Sequence, residues 1–391
     1  LEPELRRALV EHEFEARFGP PPSAWFRAPG RVDLMGSHTD YNDGHVLTMT
    51  IDRDTWLAVR PRRDRHVVIA SLDLPGMATF ELDAIGHDPA VPWTDYVRGA
   101  AQVLEDEGLA LAGFDGLLHS TVPFGSGLSS SAAIEIASLL GFAALAGVEV
   151  APLELALLGQ RAENDFVGVS CGILDQYTSV FGRAGHALLL DCRELSSGSV
   201  AMAPDVAVVI CDTRAERSLA ATGYGERRAS CEAGVRILRA LEPKSDIRAL
   251  RDVSPELFAA HEAALPPVVA RRCRFILEEE QRVLGLAEAL PYGDPTVLAA
   301  LLDASWRGAT ELYEIGAPAM TAMHHAMAGA PGLIARRQAG AGFGGCLVAL
   351  VERAAVAAFG AHVRAAYERP TGIEPRVFAV EAAPGAGPLD P

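Results

Sequence analysis

The sequence predicts an α+β fold organised in two halves. Three observations carry this. Short apolar or alternating runs cluster between residues 45 and 83. Helical patterns gather in blocks, near 93–167 and 226–328. Continuous apolar runs of the kind buried on both faces of a sheet recur at 207–211 and 347–351. Strands and helices are therefore segregated rather than regularly alternating.

In order along the chain, residues 1–22 open with a short helix and end in Pro20-Pro21-Pro22. Runs at 55–59, 66–70 and 77–82 read as strands separated by charged or Pro/Gly breaks. Helices follow at about 93–107, 131–147 and 152–167, the last with Pro152 at a favoured first-turn position. The 207–211 strand comes next, then the second helical block, in which Asp294-Pro295 is a cap-plus-first-turn signal. The 347–351 strand, a helix near 354–367 and a strand near 376–380 precede a Pro/Gly tail. The boundary between halves is expected near 195–205, where Ser196-Ser197-Gly198-Ser199 interrupts the pattern, giving units of 1–200 and 201–391.

The 391 residues are 49% hydrophobic and 22% charged, a globular composition long enough for two domains. A formal net charge of −17 argues against nucleic acid as the partner. No apolar stretch reaches membrane-spanning length. The six cysteines form no C-x-x-C pair, and the N-terminal stretch does not read as a signal peptide. Free thiols in a cytoplasmic protein are the expectation.

Four clusters carry chemistry. V-P-F-G-S-G-L-S-S-S-A-A at 122–133 packs Gly125, Ser126, Gly127, Leu128, Ser129, Ser130 and Ser131 ahead of an apolar helix. A glycine turn feeding a helix N-terminus aims free N–H groups at an anion, although an ordinary strand-to-helix turn has the same pattern. It is neither a P-loop, lacking Gly-Lys-Ser/Thr, nor a dinucleotide fingerprint, since Ser130 stands where the third glycine belongs. The second cluster, 27–47, sets Arg31, Asp33, His38, Asp40 and Asp43 among glycines. It reads as a polar pocket wall or as a solvated turn; in extended backbone His38 and Asp40 would face one side. The third, 163–176, places Glu163 late in a helix and Asp175 among apolar residues. An arginine partner would hold Asp175 ionised, as a base or in a structural ion pair. In the fourth, Gly340, Gly342, Gly344 and Gly345 precede a buried strand, which implies close backbone approach or a tight hairpin.

Together and in this order, the four resemble the GHMP small-molecule kinases, and among them the galactokinases. The matching runs are G-R-V-D-L-M-G-S-H-T-D-Y-N-D-G at 30–44, G-S-G-L-S-S-S-A-A at 125–133, C-G-I-L-D-Q at 171–176 and G-A-G-F-G-G-C at 340–346. Weaker similarity covers 93–99 and 217–232, so that the resemblance spans about 25–380. It implies a two-lobed GHMP kinase fold. An N-terminal mixed-sheet lobe (ribosomal S5 domain 2-like) and a C-terminal α+β lobe would flank the active-site cleft.

The implied reaction is ATP-dependent phosphorylation of a sugar C1 hydroxyl, a chemistry of positioning and charge neutralisation. The resemblance assigns Asp175 as base and Arg31 as its partner. Residues 125–131 would take the phosphates, and Trp93 and Tyr96 the adenine unless they are simply core. Ser131 and Glu163 would take Mg²⁺, an oxygen-seeking ion. Ser37, His38, Asp40, Gly172 and Tyr224 would contact the sugar. Partners would be sugar and ATP, with no nucleic acid or membrane, in a monomer or homodimer.

Two departures stand out. Ser37 replaces the usual glutamate of G-E-H-T-D, which lies at the C6-hydroxyl end of galactose, and Asp33 replaces the usual asparagine. Losing that contact costs roughly 1–3 kcal/mol. It brings L-arabinose and D-galacturonate in as alternative substrates beside D-galactose. A non-catalytic sugar sensor and another branch, such as a mevalonate or homoserine kinase, are further alternatives. The intact Ser131-Ala132 step speaks against the sensor, and the H-T-D-Y-N run against the other branch.

Overall fold

The computed structural model describes residues 2–169, 171–215 and 220–389, the last stretch without the side chains of 220–222. Residues 217–219 of the 217–232 segment therefore lie outside the described residues.

The first sheet is mixed and holds β1 (Ala24–Met35), β2 (His45–Pro61), β3 (His66–Ser71), β4 (Met77–Glu81), β5 (Phe114–Ser120), β6 (His186–Asp191) and β7 (Ser196–Ala201). Seventeen-residue β2 is its spine. It pairs antiparallel with β1 along most of its length, with β6 through 45–48 and with β5 through 55–61. The β3–β5 pair alone is parallel among the described ladders of this sheet. The second sheet is antiparallel, with β8 (Val206–Asp212), β9 (Leu333–Gln338), β10 (Cys346–Glu352) and β11 (Arg376–Val380) in the order β11-β8-β10-β9. As its unbroken apolar run predicts, β8 is buried throughout.

Helices α1 (Pro3–Phe18), α2 (Asp95–Asp106), α3 (Ser130–Leu145), α4 (Pro152–Arg161) and α5 (Leu174–Phe181) accompany the first sheet. Helices α6 (Ala220–Leu241), α7 (Pro255–His261), α8 (Pro267–Ala289), α9 (Pro295–Arg307), α10 (Pro318–Met327) and α11 (Val356–Thr371) belong to the second half. Asp294 caps α9 as expected, its carboxylate accepting from the Thr296 N–H at 2.8 Å. One core runs through both halves, from Phe26 and Leu57 to Val208, Leu302 and Leu350.

The structure departs from the expectations in four places. The 27–47 cluster is a strand followed by a turn. Arg27, Arg31 and Asp33 can sit in β1 because each has an opposite charge, Asp54, Asp175 and Arg337 respectively. The helix expected over 152–167 stops as an α-helix at Arg161, and residues 162–167 widen into a π turn in which the Gly168 N–H returns to the Glu163 carbonyl at 3.0 Å. The Ser196–Ser199 stretch does not interrupt the fold: it lies in β7, paired with β6. The Pro/Gly tail forms β12 (Gly387–Pro388), which returns to the first sheet against Phe26 and Arg27 of β1. Among the described residues no helix is long and apolar enough to cross a membrane.

Candidate active site

Three turns and one helix start meet beside β1. Residues 36–44 form a turn between β1 and β2 that needs left-handed backbone at Gly36 (φ 110°), His38 (φ 70°) and Asp43 (φ 59°). His38 and Asp40 are therefore not in extended backbone, and the shared side expected for them does not arise from strand alternation. The two diverge. Buried His38 contacts the Tyr41 hydroxyl through Nδ1 at 2.9 Å and the Ala341 carbonyl through Nε2 at 2.8 Å, and its ring lies 5.2 Å from that of Tyr224. Burial lowers its pKa to about 4, so the imidazole is neutral near pH 7. The Nε2–H then donates to Ala341, and Nδ1 accepts from Tyr41. Asp40 instead faces Gly172, where a Cβ would fall 1.8 Å from Asp40 Oδ2. Burial, with the charges of Asp175 and Asp33 adding to it, pushes the Asp40 carboxyl up to about 6.

Ser37 lies apart from these groups. It is 2% exposed, donates to Asp33 Oδ2 at 2.7 Å and accepts from Arg337 Nη2 at 3.0 Å. Burial pushes the Asp33 carboxyl up, while Arg337 and the Ser37 hydrogen bond oppose it.

The 123–129 loop turns at Gly125 and Gly127, both left-handed, and enters α3 through Ser129, whose φ is 61°. Ser126, 2% exposed, donates to the Pro123 carbonyl at 2.7 Å, which braces the loop internally. The Ser129 side chain does not cap α3. It donates instead to Asp175 Oδ2 at 2.6 Å, leaving the first N–H groups of the helix without a side-chain acceptor from Ser129. Asp175 stands in the first turn of α5. Its Oδ1 receives Arg31 Nε at 2.8 Å and Nη2 at 2.5 Å, while Arg31 Nη1 donates to the Gly127 carbonyl at 2.6 Å. One guanidinium thus ties the sugar-turn strand, the phosphate-type loop and the Asp175 carboxylate together. The approach is close: a Cβ on Gly30 would lie 2.6 Å from the Leu128 carbonyl oxygen.

Glu163, in the π turn, accepts from Gln176 Nε2 at 2.7 Å and Cys171 Sγ at 3.3 Å, and the Ser131 hydroxyl also bonds to it. Burial, with the charge of Asp175 adding to it, pushes its pKa up. Ser130 begins α3 beside Ser131. Trp93 is 9% exposed in the main core and donates to the Pro75 carbonyl at 3.0 Å. Half-buried Tyr96 packs against the same core, its hydroxyl pushed up to about 12 by burial and by Glu163 and Glu135.

The glycine-rich 340–345 segment is the β9–β10 connection, with left-handed backbone at four glycines and Phe343. It does more than close a hairpin. Ala341 receives His38, and the Gly340 position lies within 4 Å of the Gly127 carbonyl.

Sequence reasoning does not single out Glu135 or Gln176. Glu135 lies one helical turn after Ser131, fully buried, and shares the Gln176 amide with Glu163. Burial first, then Glu163, pushes its pKa well up. A lone acid in the apolar 132–140 run was the available signal.

The galactokinase galactose-binding signature matches residues 12–61, and the GHMP kinases N terminal domain matches 95–183. The chain is 43% identical over 378 residues to a galactokinase of Roseiflexus sp., covering 97% of this chain and 96% of that protein. It is 44% identical over 359 residues to a galactokinase of Chloroflexus aggregans, covering 92% of each. The crystal structure of Lactococcus lactis galactokinase complexed with galactose superposes with a TM-score of 0.91 at 32% identity, over 98% of this chain and 100% of that one. The Methanococcus jannaschii mevalonate kinase structure shares the fold at 16% identity, with a TM-score of 0.67 over 93% of this chain and 100% of that one.

Proposed function

The chain belongs to the galactokinase family of the GHMP kinases, and on that premise we propose that Asp175, Arg31 and Ser129 form the catalytic centre of an ATP-dependent galactose 1-kinase. The observation that carries the residue assignment is the Arg31 bridge, which joins the Gly127 carbonyl to Asp175 Oδ1. It sets the base beside the loop that receives phosphate. C6-altered sugars and a non-catalytic sensor are not favoured, because the relatives spanning the chain are galactokinases.

In the reaction the C1 hydroxyl oxygen attacks the γ-phosphorus of ATP, its O–H proton passes to Asp175 Oδ2, and ADP leaves. Arg31 holds Oδ1 with two N–H groups, so Oδ2 keeps a fixed bearing, and the Ser129 hydroxyl orients it further. The guanidinium also faces the developing charge on the transferring group. The 125–131 backbone and the start of α3 hold the phosphates, and Trp93 and Tyr96 border the nucleoside. His38, Asp40, Gly172 and Tyr224 line the sugar, the carboxylate and imidazole supplying hydrogen-bond acceptors for its hydroxyls. Ser37 closes the sugar turn from behind.

Mg²⁺ fits the donors present. The Ser131 hydroxyl and Glu163 carboxylate are hard oxygen groups already bonded to each other, a sparse set of the kind Mg²⁺ completes with water and phosphate oxygens. When bound there it would neutralise phosphate charge. We also propose 1–200 and 201–391 as the two structural units, with β12 of the second completing the sheet of the first.

The test is a coupled ADP-release assay across D-galactose, L-arabinose, D-galacturonate, N-acetylgalactosamine and D-glucose, with Asp175→Asn as the variant. Galactose is expected to have the highest kcat/KM. Asp175→Asn is expected to lower kcat by roughly 10²–10⁴-fold while galactose still binds. A near-parental kcat in the variant refutes the base assignment.

A further inference from the structure

Behind the sugar turn lies a buried ionic network that the phosphoryl transfer does not use. Arg337 of β9, fully buried, donates from Nη2 to Ser37 Oγ at 3.0 Å and lies 3.3 Å from Glu279 Oε1 of α8. Its Nε donates to Ser305 Oγ of α9 at 3.1 Å. Ser37 passes the contact on to Asp33 Oδ2 at 2.7 Å, and Arg282 Nε closes the far side at 2.7 Å from Glu279 Oε2. Two carboxylates thus face two guanidiniums. Asp33 Oδ1 and Arg337 Nη1 confront each other at 3.7 Å, each without another hydrogen-bond partner. The network spans β1, the sugar turn, α8, α9 and β9, so it braces the turn from the opposite half of the molecule.

The galactokinase pattern has asparagine and glutamate where this chain has Asp33 and Ser37. The two departures are therefore one transposition: the carboxylate is moved by four residues, not lost. We infer that Asp33 and Ser37 act as a single anionic unit, in which the Ser37 hydroxyl relays the Asp33 carboxylate to Arg337 and so positions the Ser37–His38 turn for galactose. Both are positioning residues, since their hydrogen bonds run inward. The inference rests on the proposed assignment of this turn to the sugar.

Charge balance makes the inference testable. A buried charge left without its counterpart is costly. Asp33→Asn leaves the guanidiniums in excess, and Ser37→Glu leaves the carboxylates in excess. Asp33→Asn/Ser37→Glu restores two against two. The full chain is assayed for kcat and for the KM of galactose and of ATP. Asp33→Asn alone is expected to lower galactose kcat/KM by about tenfold, through KM, with ATP KM unchanged. In the Ser37→Glu background the same change is expected to raise galactose kcat/KM, by about threefold or more. The bulk of Glu is common to that pair, so the comparison reads charge. Equal losses in both backgrounds, or an ATP KM that moves with the galactose KM, overturn the inference.

Should the Ser37→Glu proteins not fold, Ser37→Ala serves in their place. It is expected to raise galactose KM about fivefold in the parent and to add nothing on Asp33→Asn. Losses that multiply overturn the unit. His38→Ala and Asp40→Asn separate the two levels of argument. If these also leave galactose KM unchanged, the sugar-site assignment fails. If they raise it while the Asp33 and Ser37 variants do not, only the positioning unit fails.

Discussion

Gly172→Ala separates binding from folding at the candidate sugar site. A Cβ on Gly172 would lie 1.8 Å from Asp40 Oδ2 and 2.8 Å from Asp40 Cγ. Cβ contacts below 3.0 Å essentially do not occur, so the carboxylate must retreat by at least about 1.2 Å. The obstacle is the end of a side chain, and Gly172 itself does not require left-handed backbone. Rotation of Asp40 therefore relieves the clash, at a folding cost below about 1 kcal/mol, which corresponds to a Tm change under about 4 °C. The loss falls on recognition. A carboxylate turned away forfeits charge-assisted hydrogen bonds worth about 1.5–3 kcal/mol, or roughly 10–150-fold in galactose kcat/KM. Steady-state kinetics with each substrate varied in turn, together with a thermal melt, measure all three quantities. A galactose kcat/KM within threefold of the parent refutes the contact between Asp40 and sugar. A Tm loss of 10 °C or more, on the order of several kcal/mol, refutes the claim that the clash is relieved by one rotamer.

Ser131→Ala with Glu163→Gln is expected to raise the half-saturating Mg²⁺ concentration about tenfold or more while galactose binding persists; an unchanged Mg²⁺ titration removes both residues from the metal site. Because Asp40 is pushed up to about 6, its acceptor form is lost as pH falls through that value. Galactose kcat/KM is expected to fall from pH 7 to pH 5, and Asp40→Asn to lack that step; parallel profiles for parent and variant refute the role. Glu135 has a pKa raised by burial, so the folded state holds its proton more tightly than the unfolded chain, and its contribution to stability declines as pH rises above the ordinary glutamate value. Glu135→Gln lacks that decline. Its Tm relative to the parent is expected to rise between pH 5 and pH 8, and a difference independent of pH refutes the sign.

The elements most legible in the sequence were those in which local pattern and final environment agree. The β8 run 207–211 is buried on both faces, and the Asp294-Pro295 signal starts α9. The failures share one cause. Strand β1 looks like a charged turn because Arg27, Arg31 and Asp33 each find a counter-charge far away in sequence, at Asp54, Asp175 and Arg337. Strand β7 looks like a linker because Ser196–Ser199 are mostly exposed and draw their order from the β6 ladder rather than from burial. The terminal return of β12 rests on pairing with residues some 360 positions earlier, beyond the reach of any local window. At the site, the glycine- and serine-rich turns were visible as motifs. What each turn touches was not, because the contacts run between them.

That distribution has a mechanistic consequence. No single segment holds a complete set of reacting groups. The phosphate-type loop contributes backbone, α5 contributes Asp175, β1 contributes Arg31, and the β9–β10 connection receives His38. The 2.6 Å contact of Arg31 with the Gly127 carbonyl and its two contacts with Asp175 make position of the base and position of the loop one variable. A shift of either displaces the other, and misplacement of about 1 Å is enough to cost on the order of 10²-fold in rate. The left-handed glycines at 36, 125, 127 and 340–345 therefore serve the chemistry through distance: each lets backbone come where a side chain would hold two of these segments apart.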